Sequence, residues 1–161
     1  MPAHEYAFTT RWHVAATCEE VFAILEQPED LPRWWGQVYL GVVNLTPARS
    51  EGIGRRIALT TRGWLPYTLR WTLEVTGVQV PHRIAFRATG DFDGGGVWTL
   101  TPAPGGVDVR LDWQVVAQKP LLRRCSFLLK PLFAANHHWA MARGLEGLRR
   151  ELDRRRAAGT R

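Results

Sequence analysis

The sequence predicts an α+β domain: a curved, seven-stranded antiparallel sheet with two short helices, closed by one long C-terminal helix over an apolar cavity. Three observations carry this. Apolar and polar residues alternate with period two through most of residues 37–115. A stripe of period near 3.6 then runs through residues 131–156. Eight tryptophans among 161 residues supply rings that either fill a large core or line a space that something else fills.

Residues 5–14 read as a first strand, with Tyr6, Phe8, Thr10, Trp12 and Val14 on one face. Thr17 and Glu20 form a capping box, which starts a helix over 18–26 with Val21, Phe22 and Leu25 on one side. Pro28 stops that helix, and Pro32 with Trp34 and Trp35 marks a second short helical turn. Strands follow at 37–45 and 55–62, joined through the Gly52–Gly54 turn. The next, 67–75, sets Tyr67, Leu69, Trp71, Leu73 and Val75 against Thr68, Arg70, Thr72 and Glu74, the pattern of a half-buried antiparallel strand. Pro81 and His82 open another, with Ile84, Phe86 and Ala88 inward. The glycine-rich run 90–96 reads as a hairpin connection to a strand at 97–101. A last strand, 107–115, turns Val107, Val109, Leu111, Trp113 and Val115 to one face. Residues 121–129 have helical character, and Pro131 should kink or restart the helix that continues to Arg156. Along it Phe133, His137, Met141, Leu145, Leu148 and Leu152 form the stripe. Residues 1–156 form a single domain on this reading, and 157–161 a disordered basic tail.

The net charge of +6 is unevenly placed: residues 119–161 carry +8 and residues 1–118 carry −2. A basic helix end suits nucleic acid or an anionic membrane surface, but it also describes an ordinary solvated helix face. The near-neutral first 118 residues argue against a large basic face, so no nucleic-acid partner is expected. Cys18 and Cys125 lack metal or redox spacing and read as a reduced pair. No signal-peptide pattern and no apolar run of membrane-spanning length is present, so a cytoplasmic protein without stable membrane insertion, a monomer or homodimer, is expected.

Strands that are apolar on one face need a cover, and the short helices are too small to provide it. The long helix must lie across the sheet. Gly144 and Gly147 in its middle each cost roughly 1 kcal/mol relative to alanine, which points to close packing on a ring or to room for a ligand.

The order of elements, the segment HVAATCEEVFAILEQPEDLPRWW, and the stretches GDFDGGGVW, VRLDWQV and KPLFAANHHWAMARGLEGL resemble the START/birch-pollen-allergen-like (SRPBCC) superfamily, in its polyketide cyclase/dehydrase-like branch. The resemblance covers about residues 5–153 and implies a helix-grip fold. Its members include lipid carriers, hormone receptors, aromatase/cyclases and oxygenase subunits, so the fold alone does not settle an activity.

The candidate ligand-lining residues are Trp12, Trp35, Tyr67, Trp71, Phe86, Trp98 and Trp113, with Asn136, His137 and Met141 from the helix. His137 is the best candidate for acid/base work; the plainer reading of His137 and Asn136 is that they satisfy backbone groups where helix meets sheet. One ring of the Trp34–Trp35 pair is expected to plug the core while the other lines the entrance. Asp91 and Asp93 read as turn formers, and Arg70, Arg110 and Asp112 as members of cross-strand ion pairs on the outer face. No HExxH, HxxxH, phosphate loop or GxSxG motif appears, so neither a metal nor a cofactor is expected. Three functions follow. The residues point to binding of a small hydrophobic or aromatic molecule of lipid, polyketide or quinone type. The resemblance implies a cyclase/dehydratase-like enzyme in the same cavity. The basic helix end suggests docking on an anionic surface.

Overall fold

The computed structural model describes residues 5–118 and 120–159. β1 (Glu5–Val14) is followed by α1 (Cys18–Leu25), a 3-10 turn at Pro28–Asp30 and α2 (Leu31–Trp34). Six strands then run in sequence: β2 (Tyr39–Thr46), β3 (Arg56–Arg62), β4 (Thr68–Gln79), β5 (Arg83–Gly90), β6 (Phe92–Ala103) and β7 (Gly106–Ala117). The chain ends in α3 (Pro120–Gly159). All neighbours are antiparallel in the order β1-β7-β6-β5-β4-β3-β2, so β2 to β7 form a meander and β1 closes on its last strand. This is the sheet covered by one long helix that the pattern predicts, and the helix-grip architecture that the resemblance implies.

The pairing explains which rings face inward. Tyr6 lies opposite Val115, Phe8 opposite Trp113 and Trp12 opposite Val109, so the apolar sets of β1 and β7 share the concave face. The capping box of α1 is complete: Glu20 N donates to Thr17 Oγ1 at 3.1 Å, and Thr17 N donates to Glu20 Oε1 at 3.1 Å. On α3 the stripe packs as its spacing predicts, with Met141, Leu148 and Leu152 buried.

Three expectations need correction. Gly94, Gly95 and Gly96 are not a connection; they lie inside β6, paired with β5 and with Val115, Gln114 and Trp113 of β7. The reversal is made by residues 89–93, where Asp91 Oδ2 accepts from Arg70 N at 2.8 Å. A Cβ at Gly96 would stand 2.5 Å from the Phe86 ring and 2.9 Å from that of Trp113, so the strand is bare there to seat two aromatic neighbours. Second, of the kink or restart expected at Pro131 there is no restart: α3 runs as one helix through it. Proline costs one backbone bond, and a helix of 40 residues retains those on either side. Third, the helix continues through Ala157 and Ala158 to Gly159, beyond the expected end at Arg156; Thr160 and Arg161 lie outside the described residues.

Those last turns are held by Glu151, which is only 2% exposed. Its carboxylate accepts from Arg33 Nη2 at 2.5 Å, from Arg154 Nε at 3.0 Å and from Arg155 Nε at 3.0 Å, tying α3 to α2. The hydrogen bond from Arg154 first, then those from Arg33 and Arg155, hold the Glu151 carboxyl well below the usual carboxylate range. Cys18 is buried and unpaired, and burial pushes its thiol up; the Cys125 side chain is not among those described.

Candidate functional site

The concave face of the sheet and the underside of α3 enclose a cavity of about 1210 Å³. Both Tyr67, just before β4, and Gln79 at its end line it. At about 3.3 Å per residue, that places the two limits roughly 40 Å apart along the curved strand. Among the described residues, Trp35, Tyr67, Trp71, Phe86, Trp98, Trp113, Asn136, His137 and Met141 line the space. Trp12 does not. It is inward but packed solid, with its ring 6.0 Å from Trp35 and 5.5 Å from Trp98.

The region around Trp12 shows what the helix glycines do. A Cβ at Gly144 would stand 2.5 Å from the Trp35 ring and 3.1 Å from Trp12, and one at Gly147 would collide with the Trp34 carbonyl oxygen. The glycines therefore permit close packing on rings rather than room for a ligand. Trp34 is buried and stacks on Trp35 at 5.4 Å, while Trp35 both closes this end and lines the cavity, its indole N–H donating to Ala140 O at 2.9 Å.

Toward the other strands the rings line the cavity. Trp71 sits 5.6 Å from Trp113 and 5.3 Å from Phe92, and Phe86 lies 5.5 Å from Trp113. They form a wall whose open side faces the cavity. The Trp71 indole N–H donates to Thr61 Oγ1 at 3.2 Å, which satisfies the one polar atom of that ring and fixes its tilt. Sequence reasoning missed Phe92, which it placed in a turn, and Tyr39, which opens β2; both line the cavity. Their signal was present: Phe92 is two residues from Gly94 in a strand that continues the period, and Tyr39 precedes an alternating run.

The polar groups are few. His137 stacks on Phe8 at 4.1 Å with an interplanar angle of 15°, and its Nε2 is buried without a hydrogen-bond partner. Burial, with a lesser contribution from His138, pushes its pKa down to about 4, so the ring is neutral at pH 7. Asn136 takes the plainer of its two expected roles. Its Oδ1 accepts from Leu65 N at 3.3 Å, and its carboxamide lies where a Cβ at Gly63 would have to sit, so it pins the β3–β4 loop to the helix. Burial pushes the Tyr67 hydroxyl up to about 12 and that of Tyr39 higher still, which keeps both protonated as donors.

At one end, Tyr67 and Tyr6 meet Phe133 edge-on at 6.3 Å and 6.1 Å. At the other, Arg55 pairs with Glu29 and its Nη2 donates to Asn44 Oδ1 at 3.1 Å, so this cation is already occupied. Among the described residues no group of three His, Cys, Asp or Glu side chains could hold a metal, and no helix is long and apolar enough to cross a membrane. The arrangement can shield an apolar molecule from water.

No curated protein matches this sequence. The architecture recurs in solved structures. The protein TTHA0849 of Thermus thermophilus has a TM-score of 0.71 at 22% identity, covering 97% of this chain and 100% of that one. The Zhui aromatase/cyclase of Streptomyces sp. R1128 has a TM-score of 0.74 at 15% identity, covering 94% and 96%. A START superfamily protein of Mycobacterium smegmatis has a TM-score of 0.68 at 19% identity, covering 92% and 99%. At these identities the likeness is one of fold. The family model described as "Polyketide cyclase / dehydrase and lipid transport" matches residues 6–153, nearly the whole domain, and the chain belongs to that family.

Proposed function

We propose that this protein binds an elongated hydrophobic or fused-ring aromatic molecule, of lipid, polyketide or quinone type, in the cavity under α3. The observation that carries the reading is the volume of about 1210 Å³ walled by Trp71, Trp113, Phe86 and Phe92. Ligand pockets are commonly about 300–1,000 Å³, so there is space for several fused rings or a long chain. His137 lines the cavity as a neutral ring stacked on Phe8, which adds to the apolar wall rather than placing a charge in it.

The second reading, a cyclase/dehydratase-like enzyme, draws on the family and on the His137 ring nitrogen. A ring with a pKa of about 4 is a weak base and is almost never protonated at pH 7, which favours hydrogen bonding over proton transfer. The third reading, docking through the basic helix end, is weakened by pairing: Arg154 and Arg155 bond Glu151, and Arg156 bonds Glu20.

The test is a titration of intrinsic tryptophan fluorescence with hexadecanoate and, separately, with a hydroxylated anthraquinone. Leu73 lines the cavity, and Leu73→Trp would fill part of it. The expected result is saturable binding of at least one ligand by the native protein, weakened tenfold or more in Leu73→Trp with the fold retained. Equal affinity in the two proteins, or no saturable binding of either ligand, would overturn the reading.

A further inference from the structure

The outer, convex face of the sheet divides into two halves by charge. On β1 and β7 the charges are matched: His13 Nδ1 lies 2.8 Å from Asp108 Oδ1, Arg110 Nε lies 3.0 Å from Asp112 Oδ2, and Thr9 Oγ1 donates to Asp112 at 2.9 Å. On β3, β4 and β5 they are not. The outward positions there carry Arg56 and Arg62, then Arg70, then Arg83 and Arg87, and against these five stands one acid, Glu74. Asp91 and Asp93 border the patch beyond it.

Register brings these residues together from distant parts of the sequence. Arg56 is opposite Glu74, which is opposite Arg87 on its other side, while Arg70 is opposite Thr60 and Arg62 opposite Thr68. Arg56, Arg62, Arg70 and Arg87 are exposed. None of the five guanidinium groups makes an ion pair or side-chain hydrogen bond among the described residues, although the expectation for Arg70 was a cross-strand pair. Five like charges on three adjacent strands, about 4.8 Å apart, repel one another, so the face is costly unless something anionic covers it.

We propose that the outer face of β3–β5 is a docking surface for an acidic face of a partner protein. Its chemistry selects among anionic occupants. Between the arginines lie Ala58, Thr60, Thr72, Ala85 and Thr89, with no aromatic and no large apolar side chain. Single-stranded nucleic acid is held by stacking on aromatic rings, and none is offered. A duplex groove admits a helix or a two-stranded ribbon, not a broad convex sheet. Binding to a membrane surface draws on apolar insertion, for which β3–β5 offer no side chain and the neighbouring β2 only Val43, opposite Ala58. Guanidinium forks match carboxylates two bonds at a time, and an acidic helix laid along a strand would meet Arg62, Arg70 and Arg87 across neighbouring strands. The patch is three strands wide and roughly 20 Å long, the size of a transient, salt-sensitive contact. Apart from Arg62, which also lines the cavity, the patch is on the other side of the sheet, and the proposal does not depend on what the cavity holds.

The experiment measures fluorescence anisotropy of labelled poly-L-glutamate, a 20-nucleotide single-stranded DNA and phosphatidylglycerol vesicles, each at low and at moderate salt. The variants are a triple Arg56→Glu/Arg70→Glu/Arg87→Glu, a triple arginine-to-glutamine version at the same positions, and Arg149→Glu/Arg150→Glu on α3 as control. The expected result is salt-sensitive binding of poly-L-glutamate in preference to DNA and vesicles. Both triple variants should lower it tenfold or more, and the control much less. Because the glutamine version introduces no repulsion, it keeps the test alive should the reversal fail to fold. Unchanged poly-L-glutamate binding in the folded triple variants, or tighter binding of DNA or vesicles through the same arginines, would overturn the proposal.

Discussion

The two ends of the space beneath α3 use the same residue type for opposite purposes. Around Trp12, Trp34 and Trp35 the helix descends onto the rings, because Gly144 and Gly147 present no Cβ to keep it away. Around Trp71 and Trp113 the helix presents His137 and Met141 instead, and the rings become a wall. Tryptophan by itself predicts neither outcome. The height of the helix above each ring decides between a filled core and a cavity, and that height is set by what the helix carries at the point of closest approach.

The comparison is most sharply broken at Gly147. In an exposed helix interior, glycine to alanine stabilises by roughly 1 kcal/mol. Here the added methyl meets the backbone oxygen of Trp34, which has no side-chain torsion with which to move away. Gly147→Ala should therefore destabilise by about 3 kcal/mol or more, at the high end of overpacking costs. Gly144→Ala meets ring atoms of Trp35 and should cost less, since a ring can tilt. Stability measured by denaturant titration checks both. A stabilised Gly147→Ala would mean that the helix does not pack down at this end.

A smaller effect belongs to the open end and to pH. The folded pKa of His137 is near 4 and that of an unfolded histidine near 6.5, so between those values the unfolded chain binds more protons. Stability should rise with pH across that window, and fall by up to a few kcal/mol as the solution is acidified from 6.5 toward 4. Glu151 has the same relation to its own reference, because its carboxyl too is held below the usual range, but its window lies lower. Its contribution is complete above the unfolded carboxylate pKa and fades only below about pH 4.5. His137→Phe keeps a ring to stack on Phe8 and should flatten the slope between pH 5 and 6.5 in melting temperature. An unchanged slope would place the titrating group elsewhere.

Much of this was legible in the residues, for reasons that also define where legibility stopped. Period-two alternation reports which face a side chain takes, and so the inward strand rings from Tyr67 to Trp113 were legible. It does not report depth, which is why Trp12 was grouped with the cavity wall although it is packed among Trp35 and Trp98. The glycines of β6 read as a turn because local glycine chemistry is the same in a reversal and in a strand bared to seat Phe86 and Trp113. Glu151 was hidden among arginines that looked like a solvated helix end, yet it organises two of them, Arg154 and Arg155, together with Arg33 of α2. The outer face shows the same limit. Totals by segment made residues 1–118 nearly neutral, but sheet register separates their charges into a matched half and an arginine half.

The central claim, that one end is filled and the other hollow, is most directly tested by fluorine NMR of the protein labelled with 5-fluorotryptophan. Resonances would be assigned by single Trp→Phe variants and followed during titration with hexadecanoate and with the hydroxylated anthraquinone. The account predicts that the ligand that binds shifts the Trp71 and Trp113 signals and leaves those of Trp12 and Trp34 in place. Shifts confined to Trp12 and Trp34, or saturable binding that moves neither Trp71 nor Trp113, would contradict it.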